Sequence, residues 1–221
     1  MIDLPTTTSA DVARGRRRTL LVPLGSLEQH GAHLPLSTDT VIAEHVARGV
    51  AARWASCAVA PAIPIGASGE HAGFAGTLSI GTDVLSRVLV EVVRDADRDY
   101  ERVVLVNGHG GNGPAIAAAQ QVCGYEGRSL EVLHCHFPGA DAHAGRTETS
   151  LMLHLAPELV RLERAEAGNT APVGALLPAM RDGGVRAVSP NGVLGDPAGA
   201  TAQEGERLLR ALLDSVTGTA R

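Results

Sequence analysis

Thr19-Leu20-Leu21-Val22-Pro23-Leu24-Gly25-Ser26-Leu27-Glu28-Gln29-His30-Gly31-Ala32-His33-Leu34-Pro35-Leu36-Ser37-Thr38-Asp39 is the stretch whose reading decides the fold. Residues Thr19 to Leu24 are a continuous apolar run, the pattern of a strand buried on both faces in a parallel sheet. Glu28 and His30 lie two apart, so on an extended segment both side chains leave from one face. Asp39 follows where Ser37 or Thr38 can cap a helix. That helix carries Ile42, Val46 and Val50 at helical spacing and should end near Trp54. A carboxylate, an imidazole and a second carboxylate beside a strand end are parts of a metal site. Three ligands from one short stretch cannot close such a site alone.

Composition sets the class. The chain has 221 residues, 44% of them hydrophobic, which suits one α/β domain spanning residues 1–221. One Trp, two Tyr and two Phe leave Val, Leu, Ile and Ala to fill the core. All 19 basic residues are Arg, which excludes Schiff-base chemistry on a lysine and a phosphate-loop lysine. A net charge of −5 gives no nucleic-acid footprint. The one basic run, Arg14 with Arg16, Arg17 and Arg18, reads as a solvated lead-in to the first strand. Cys57, Cys123 and Cys135 are odd in number and lack CxxC spacing, against a disulfide framework. Cys57 and Cys135 lie in apolar runs and read as core residues. No signal-peptide pattern opens the chain, and no apolar stretch reaches about 18 residues. The expectation is a cytoplasmic protein with neither membrane nor nucleic acid as partner.

Working outward, Cys57 to Ile65 is a second strand-like run punctuated by Pro61 and Pro64. A Gly-rich loop over residues 66–76 holds Ser68, Glu70 and His71, and Thr77 to Ile80 reads as a short strand. Thr82 can cap a helix with Leu85, Val88, Leu89, Val92 and Ala96 on one face. Arg102 to Val106 is another buried strand, broken by Asn107-Gly108-His109-Gly110-Gly111-Asn112-Gly113. Pro114 then suits the first turn of a helix running to about Cys123. A strand is expected over Leu130 to Phe137 and a helix from about Thr147 to Leu155. Residues 164–199 read as a surface excursion with a short helix near Leu176. Thr201-Ala202-Gln203-Glu204 is a capping box opening a last helix, with Leu208, Leu209, Leu212 and Val216 inward. Strands alternating with helices predict a three-layer α/β/α fold around a mainly parallel sheet. The polar loops at 25–39, 66–76, 107–113 and 141–150 each follow a strand-like run and should meet at the carboxyl edge of that sheet.

His109, among glycines after a buried strand, joins Glu28, His30 and Asp39 as a candidate ligand, and Glu148 would be a fifth. Such a mixed nitrogen and oxygen set suits two divalent ions sharing a carboxylate, with Asp39 chosen as the bridge. His33, His45, His134, His136 and His154 lack this grouping and read as packing or hydrogen-bonding residues. A rival motif overlaps His109. Gly108, Gly110 and Gly113 match G-x-G-x-x-G between a strand and a helix, with Glu126 downstream, the fingerprint of a dinucleotide-binding module. No G-x-S-x-G elbow offers a serine nucleophile.

Three motifs in order resemble the creatininase family of amidohydrolases. They are Gly25 to Asp39, Asn107 to Asn112, and His143-Ala144-Gly145 with Glu148-Thr149-Ser150. The resemblance implies a hydrolase of C–N bonds using two divalent ions (Zn, Fe or Mn) held by Glu28, His30, Asp39, His109 and Glu148. In it a metal-bridging hydroxide attacks the amide. It further implies His143 as general acid and a homo-oligomer. Glu70 and His71 would orient substrate or shuttle protons. Ser68, Gly108, Gly110 and Gly111 would form the substrate and oxyanion loop. The segments Gly168 to Pro172, Gly183 to Pro197 and Glu204 to Leu209 are similar to the branch of the family in mycofactocin biosynthesis. That implies a modified precursor peptide as substrate, with release of its C-terminal Val-Tyr unit. Another cyclic-amide or formamide hydrolase of the family is the alternative, and a structural partner in a biosynthetic complex a third reading. One position departs. Creatinine-hydrolysing members place a metal-binding Glu where this chain has Gly111, and Glu148 is the expected replacement.

Overall fold

The computed structural model describes residues 1–14 and 18–217. Of the basic run, residues 15–17 lie outside them; Arg14 is exposed and pairs with Asp11 at 3.2 Å. The strands are β1 (Ile2–Asp3), β2 (Arg18–Leu24), β3 (Cys57–Val59), β4 (Tyr100–Asn107) and β5 (Leu130–His134). The helices are α1 (Ser9–Ala13), α2 (Thr38–Arg53), α3 (Gly81–Ala96), α4 (Gly113–Tyr125), α5 (Arg146–Leu155), α6 (Val173–Gly183) and α7 (Ala202–Thr217). The sheet order is β1-β3-β2-β4-β5, and every pairing is parallel.

Side-chain alternation along the central strands divides the core in two. Leu20, Val22 and Leu24 of β2, with Val103 and Leu105 of β4, pack against α3 and α4 through Leu85, Leu89, Val93, Ile116 and Ala119. Leu21 of β2 and Val104 and Val106 of β4 face the other way. They meet Ile42, Val46 and Val50 of α2, Leu151 and Met152 of α5, and Leu212 and Leu213 of α7. Both faces of the sheet are therefore covered by helices, which is why its central strands are almost wholly apolar.

Several boundaries differ from the sequence expectation for local reasons. The run after Cys57 pairs as a strand only to Val59. Beyond it, Pro61 and Pro64 interrupt the ladder, and the chain keeps to β2 through Ala60 N–H to Leu21 O at 2.9 Å and Ile63 N–H to Pro23 O at 2.9 Å. Thr77 to Ile80 forms a single antiparallel bridge, Leu78 to Leu27, rather than a strand. β5 stops at His134, short of Phe137. On α3, which starts at Gly81 rather than after a Thr82 cap, Leu85, Leu89, Val93 and Ala96 are buried while Val88 faces solvent. At α7, Glu204 N–H donates to Thr201 Oγ1 at 3.2 Å, but the Glu204 carboxylate turns to Arg146 Nε at 2.8 Å instead of closing the capping box.

The four polar loops lie at the carboxyl ends of the strands, and close backbone approach holds the first one there. A Cβ on Gly25 would stand 2.1 Å from Thr40 Oγ1 and 2.6 Å from Thr40 Cα, so β2 can pass directly under the first turn of α2 only at a glycine. Gly25→Ala should therefore push α2 off the strand and lower stability by about 1–3 kcal/mol, the usual cost of forcing extra atoms into a packed site. Urea unfolding checks this, and an unchanged midpoint would contradict it.

Candidate metal centre

The loop after β2 is folded so that Glu28 and His30 aim at one point. Glu28 N–H donates to Leu36 O at 3.2 Å, and His30 Nδ1 lies 3.1 Å from Glu28 O, which turns His30 Nε2 inward. Asp39 stands in the first turn of α2, and His109 follows β4. Asn112 stitches these pieces together. Its amide donates to Gly25 O at 3.0 Å and to Asn107 Oδ1 at 3.0 Å, and accepts from Ala67 N–H at 2.9 Å. Asn107 in turn donates to His109 O at 2.7 Å. Three loops from three strands thus share one buried side chain.

The acids and imidazoles converge. Glu28 Oε2 is 3.1 Å from His109 Nε2, and Glu28 Oε1 is 3.3 Å from His71 Nε2 and 3.6 Å from His143 Nδ1. Asp39 turns Oδ1 to His30 Nε2 at 3.3 Å and Oδ2 to His109 Nδ1 at 3.6 Å. Glu148 Oε2 reaches His30 Nε2 at 3.9 Å. Three triads have donor atoms close enough to hold a cation: Glu28 with Asp39 and His109, His30 with His143 and Glu148, and Glu28 with His71 and His143. The first triad gives a direct test of fit. Glu28 Oε1, Asp39 Oδ2 and His109 Nε2 are all buried and make no properly aligned hydrogen bond, despite the ion-pair distances between them. Unsatisfied buried groups cost about 1–3 kcal/mol each. Two carboxylate oxygens and an imidazole nitrogen left unsatisfied in one cluster, whose residues each bring a donor atom within reach of a shared ion, fit a divalent cation.

The charges hold one another. Burial pushes the Glu28 carboxyl up, but the facing imidazoles, His109 foremost, outweigh it and hold it well below the ordinary carboxylate range. Burial lowers His30, yet Asp39 and then Glu148 lift it to about 10. His109 also rises well above its ordinary value, because Glu28 and Glu70 outweigh its burial. His143 is driven well below its ordinary value by burial and by His30, and His71 is lowered mainly by burial. Burial raises Glu148 to about 7. Positive charge therefore settles on His30 and His109, and His71 and His143 stay neutral.

The remaining expected residues divide. Glu70 Oε1 lies 3.2 Å from His109 Nε2, on a single turn (Gly69–His71) that also delivers His71. Gly108, Gly110 and Gly111 line the cavity above the triads. Ser68 does not. It is fully buried and its hydroxyl meets Ser26 Oγ, which donates to Glu28 Oε2 at 2.7 Å, so Ser68 supports Glu28 from below. Glu148 reaches the cluster beside His30, and the space next to Gly111 holds Glu70. His33 bonds Thr149 Oγ1 at 2.9 Å and ties α5 to the site. Burial raises the Cys135 thiol, and Cys57 and Cys123 are buried.

Sequence reasoning missed Gln29. Its amide nitrogen is 3.0 Å from both His71 Nδ1 and His143 Nε2, and it donates to Gly192 O at 2.9 Å. His143 Nε2 is also 2.7 Å from the Gln29 carbonyl. Its place between Glu28 and His30 was the available signal, but alternation would point it away from them. Ser26 and Asn112 were equally visible in their motifs and gave no sign of their partners.

The Gly108–Gly113 loop does not act as a dinucleotide fingerprint. His109 points from it into the triads, a Cβ on Gly108 would sit 2.4 Å from Asp39 O, and Glu126 is engaged by Arg94 and Arg128. The fold and the site point instead to the amidohydrolase class, with grouped acids and imidazoles that could hold a metal ion. Residues 5–219 match the family described as creatininase, creatinine amidohydrolase, and the chain belongs to that family of enzymes. It is 54% identical over 208 residues to a mycofactocin precursor peptide peptidase of Mycobacterium tuberculosis, covering 89% of this chain and 82% of that protein. A solved creatininase described as the Mn form superposes with a TM-score of 0.80 at 27% identity, covering 100% of this chain and 97% of the other. A mutant creatininase of Zn–Zn type does so with 0.79 at 26%, covering 99% and 96%.

A cation entering the triads must displace the protons that His30 and His109 hold. Zn²⁺ affinity should therefore fall as pH falls, by up to about tenfold per pH unit for each proton released. Competition titration with a chelator across the neutral range checks this; a flat profile would mean that neither imidazole is a ligand.

Proposed function

We propose that this chain is a metal-dependent peptidase of mycofactocin biosynthesis, releasing the modified C-terminal Val-Tyr unit of a ribosomal precursor peptide. The observation that carries this reading is a two-sided cleft. A cavity of about 770 Å³ opens over Asp39, His71, His109, His143 and Glu148, walled by Val173, Leu177 and Met180 of α6. A second of about 480 Å³, lined by His134, His136 and Phe137, shares Gly108, His109, Gly110, Ala142 and Glu148 with the first. A peptide bond laid across the triads has room for chain on both sides, whereas a small cyclic amide or a formamide would fill one of them. Similarity to the precursor peptidases over most of the chain supports the same substrate.

The residues divide the work as follows. Glu28, Asp39 and His109 would hold one divalent ion, and His30 and Glu148 a second, with Asp39 offering one oxygen to each. Bound there, such ions would polarise the scissile carbonyl and acidify water. Gln29 holds His143 through Nε2, which leaves Nδ1 facing the cluster. Kept neutral, His143 begins as acceptor of the proton from the attacking water and ends as its donor to the leaving nitrogen. Met180, Leu177 and Val173 offer apolar surface to the departing Val-Tyr unit. The proposal includes a single hydrolase domain, a cytoplasmic setting and a homo-oligomer, as the family resemblance implies. Among the described residues no helix is long and apolar enough to cross a membrane.

Mass analysis of the modified precursor peptide, incubated with purified protein, should show loss of the C-terminal unit, abolished by a strong chelator and restored by Zn²⁺, Mn²⁺ or Fe²⁺. Full cleavage by verified metal-free protein would sink the mechanism. Asp39→Asn should lower metal content and cleavage together. His143→Ala should keep the metal and slow cleavage by about 10²–10⁴-fold, the usual worth of a positioned acid–base group. Loss of metal in that variant would make His143 a ligand instead.

A further inference from the structure

Glu70 has one carboxylate oxygen 3.2 Å from His109 Nε2, the nitrogen that also faces Glu28 Oε2 at 3.1 Å. That nitrogen is buried and has no aligned hydrogen-bond partner. Two carboxylates from separate loops thus approach one orphaned imidazole nitrogen. The space that admits the second is made by a missing side chain. A Cβ on Gly111 would stand 2.2 Å from Glu70 Oε1, 2.3 Å from His109 Nε2 and 2.8 Å from Ala67 O. Any residue but glycine there would displace the Glu70 carboxylate from the ring.

The turn that presents Glu70 is itself held from two sides. A Cβ on Gly184, at the end of α6, would come within 2.7 Å of Glu70 O, and Ser68 N–H, just before the turn, donates to Ser79 Oγ at 2.9 Å. The next residue, His71, is seated against Glu28 Oε1 and Gln29. Glu70 is only partly buried and lines the larger cavity, so it closes the substrate side of the Glu28–His109 position.

We propose that Glu70 is a ligand of the cation held by Glu28 and His109, its carboxylate entering from the 66–76 loop through the space that Gly111 leaves beside the His109 ring. This assigns Glu70 to the metal rather than to orienting substrate or shuttling protons. It rests on the metal-dependent reading of the site and not on the identity of the peptide. It also makes Gly111 and Glu70 one unit, in which the glycine leaves the space that the carboxylate uses.

The test measures Zn²⁺ alone, without substrate. Metal content after dialysis and Zn²⁺ affinity are determined for the wild type, Glu70→Gln, Glu70→Gly and Glu70→Asp. Glu70→Gln and Glu70→Gly should each bind one ion fewer per chain, or bind it at least about tenfold more weakly, as ligand-shell losses do. Glu70→Asp keeps a carboxylate on the same turn and should bind Zn²⁺ more tightly than either Glu70→Gln or Glu70→Gly, whereas a merely structural role would favour the isosteric Glu70→Gln. Glu70→Asp also keeps the test decisive if Glu70→Gln folds poorly. Wild-type Zn²⁺ binding in Glu70→Gln, or a Glu70→Asp variant that binds no better than Glu70→Gly, would overturn the assignment. A wild type that binds no Zn²⁺ would remove it together with the metal reading, whereas failure of the peptide assay alone would leave it standing.

Discussion

A carboxylate with no exposure to water governs this structure. Glu28 sits at the carboxyl edge of the sheet, and a lone ion there would cost several kcal/mol. The protein answers by surrounding it with His71, His109 and His143 and by giving it the Ser26 hydroxyl. Those partners come from four different loops. Their convergence on one acid is what fixes the mutual placement of the loops after β2, β3, β4 and β5. The same arrangement leaves three buried polar atoms unsatisfied, which is the condition for taking up a cation rather than merely balancing charge.

The scaffold beneath it is conventional in its physics. Alternating side chains on β2 and β4 build two apolar layers, so the central strands need no polar groups of their own. All polarity is displaced to their carboxyl ends, where Asn112 substitutes for a sheet ladder by bonding to three backbone or side-chain partners at once. Rigid strands, one stitching amide and close backbone contacts at Gly25 hold the candidate ligands together at the sheet edge. Cleavage of an amide by bound ions depends on that preorganisation more than on any single group.

Much of this was legible in the chain itself. The apolar runs at Thr19–Leu24 and Arg102–Val106 announced buried parallel strands, and Pro114 and Thr201 marked helix starts, because those signals are local. Element ends were less legible. The Cys57–Ile65 run reads as continuous strand by composition, but pairing stops at Val59, since prolines cannot donate to a neighbour that only the sheet order reveals. Val88 was misplaced on α3 because the inward stripe is set by the direction from which the sheet approaches.

The sequence by itself determined the fold class, the edge at which chemistry could occur, and the set of titratable residues available there, since these follow from periodicity, turn residues and side-chain type. Only the tertiary structure decided how those residues group. It set Glu148 beside His30 and put Glu70 in the space next to Gly111. It drew Ser68 beneath Glu28 and brought Gln29 between His71 and His143. Such choices depend on distances between loops far apart in the chain, and on which of several carboxylates a buried imidazole can reach. Neither quantity is carried by spacing along the backbone.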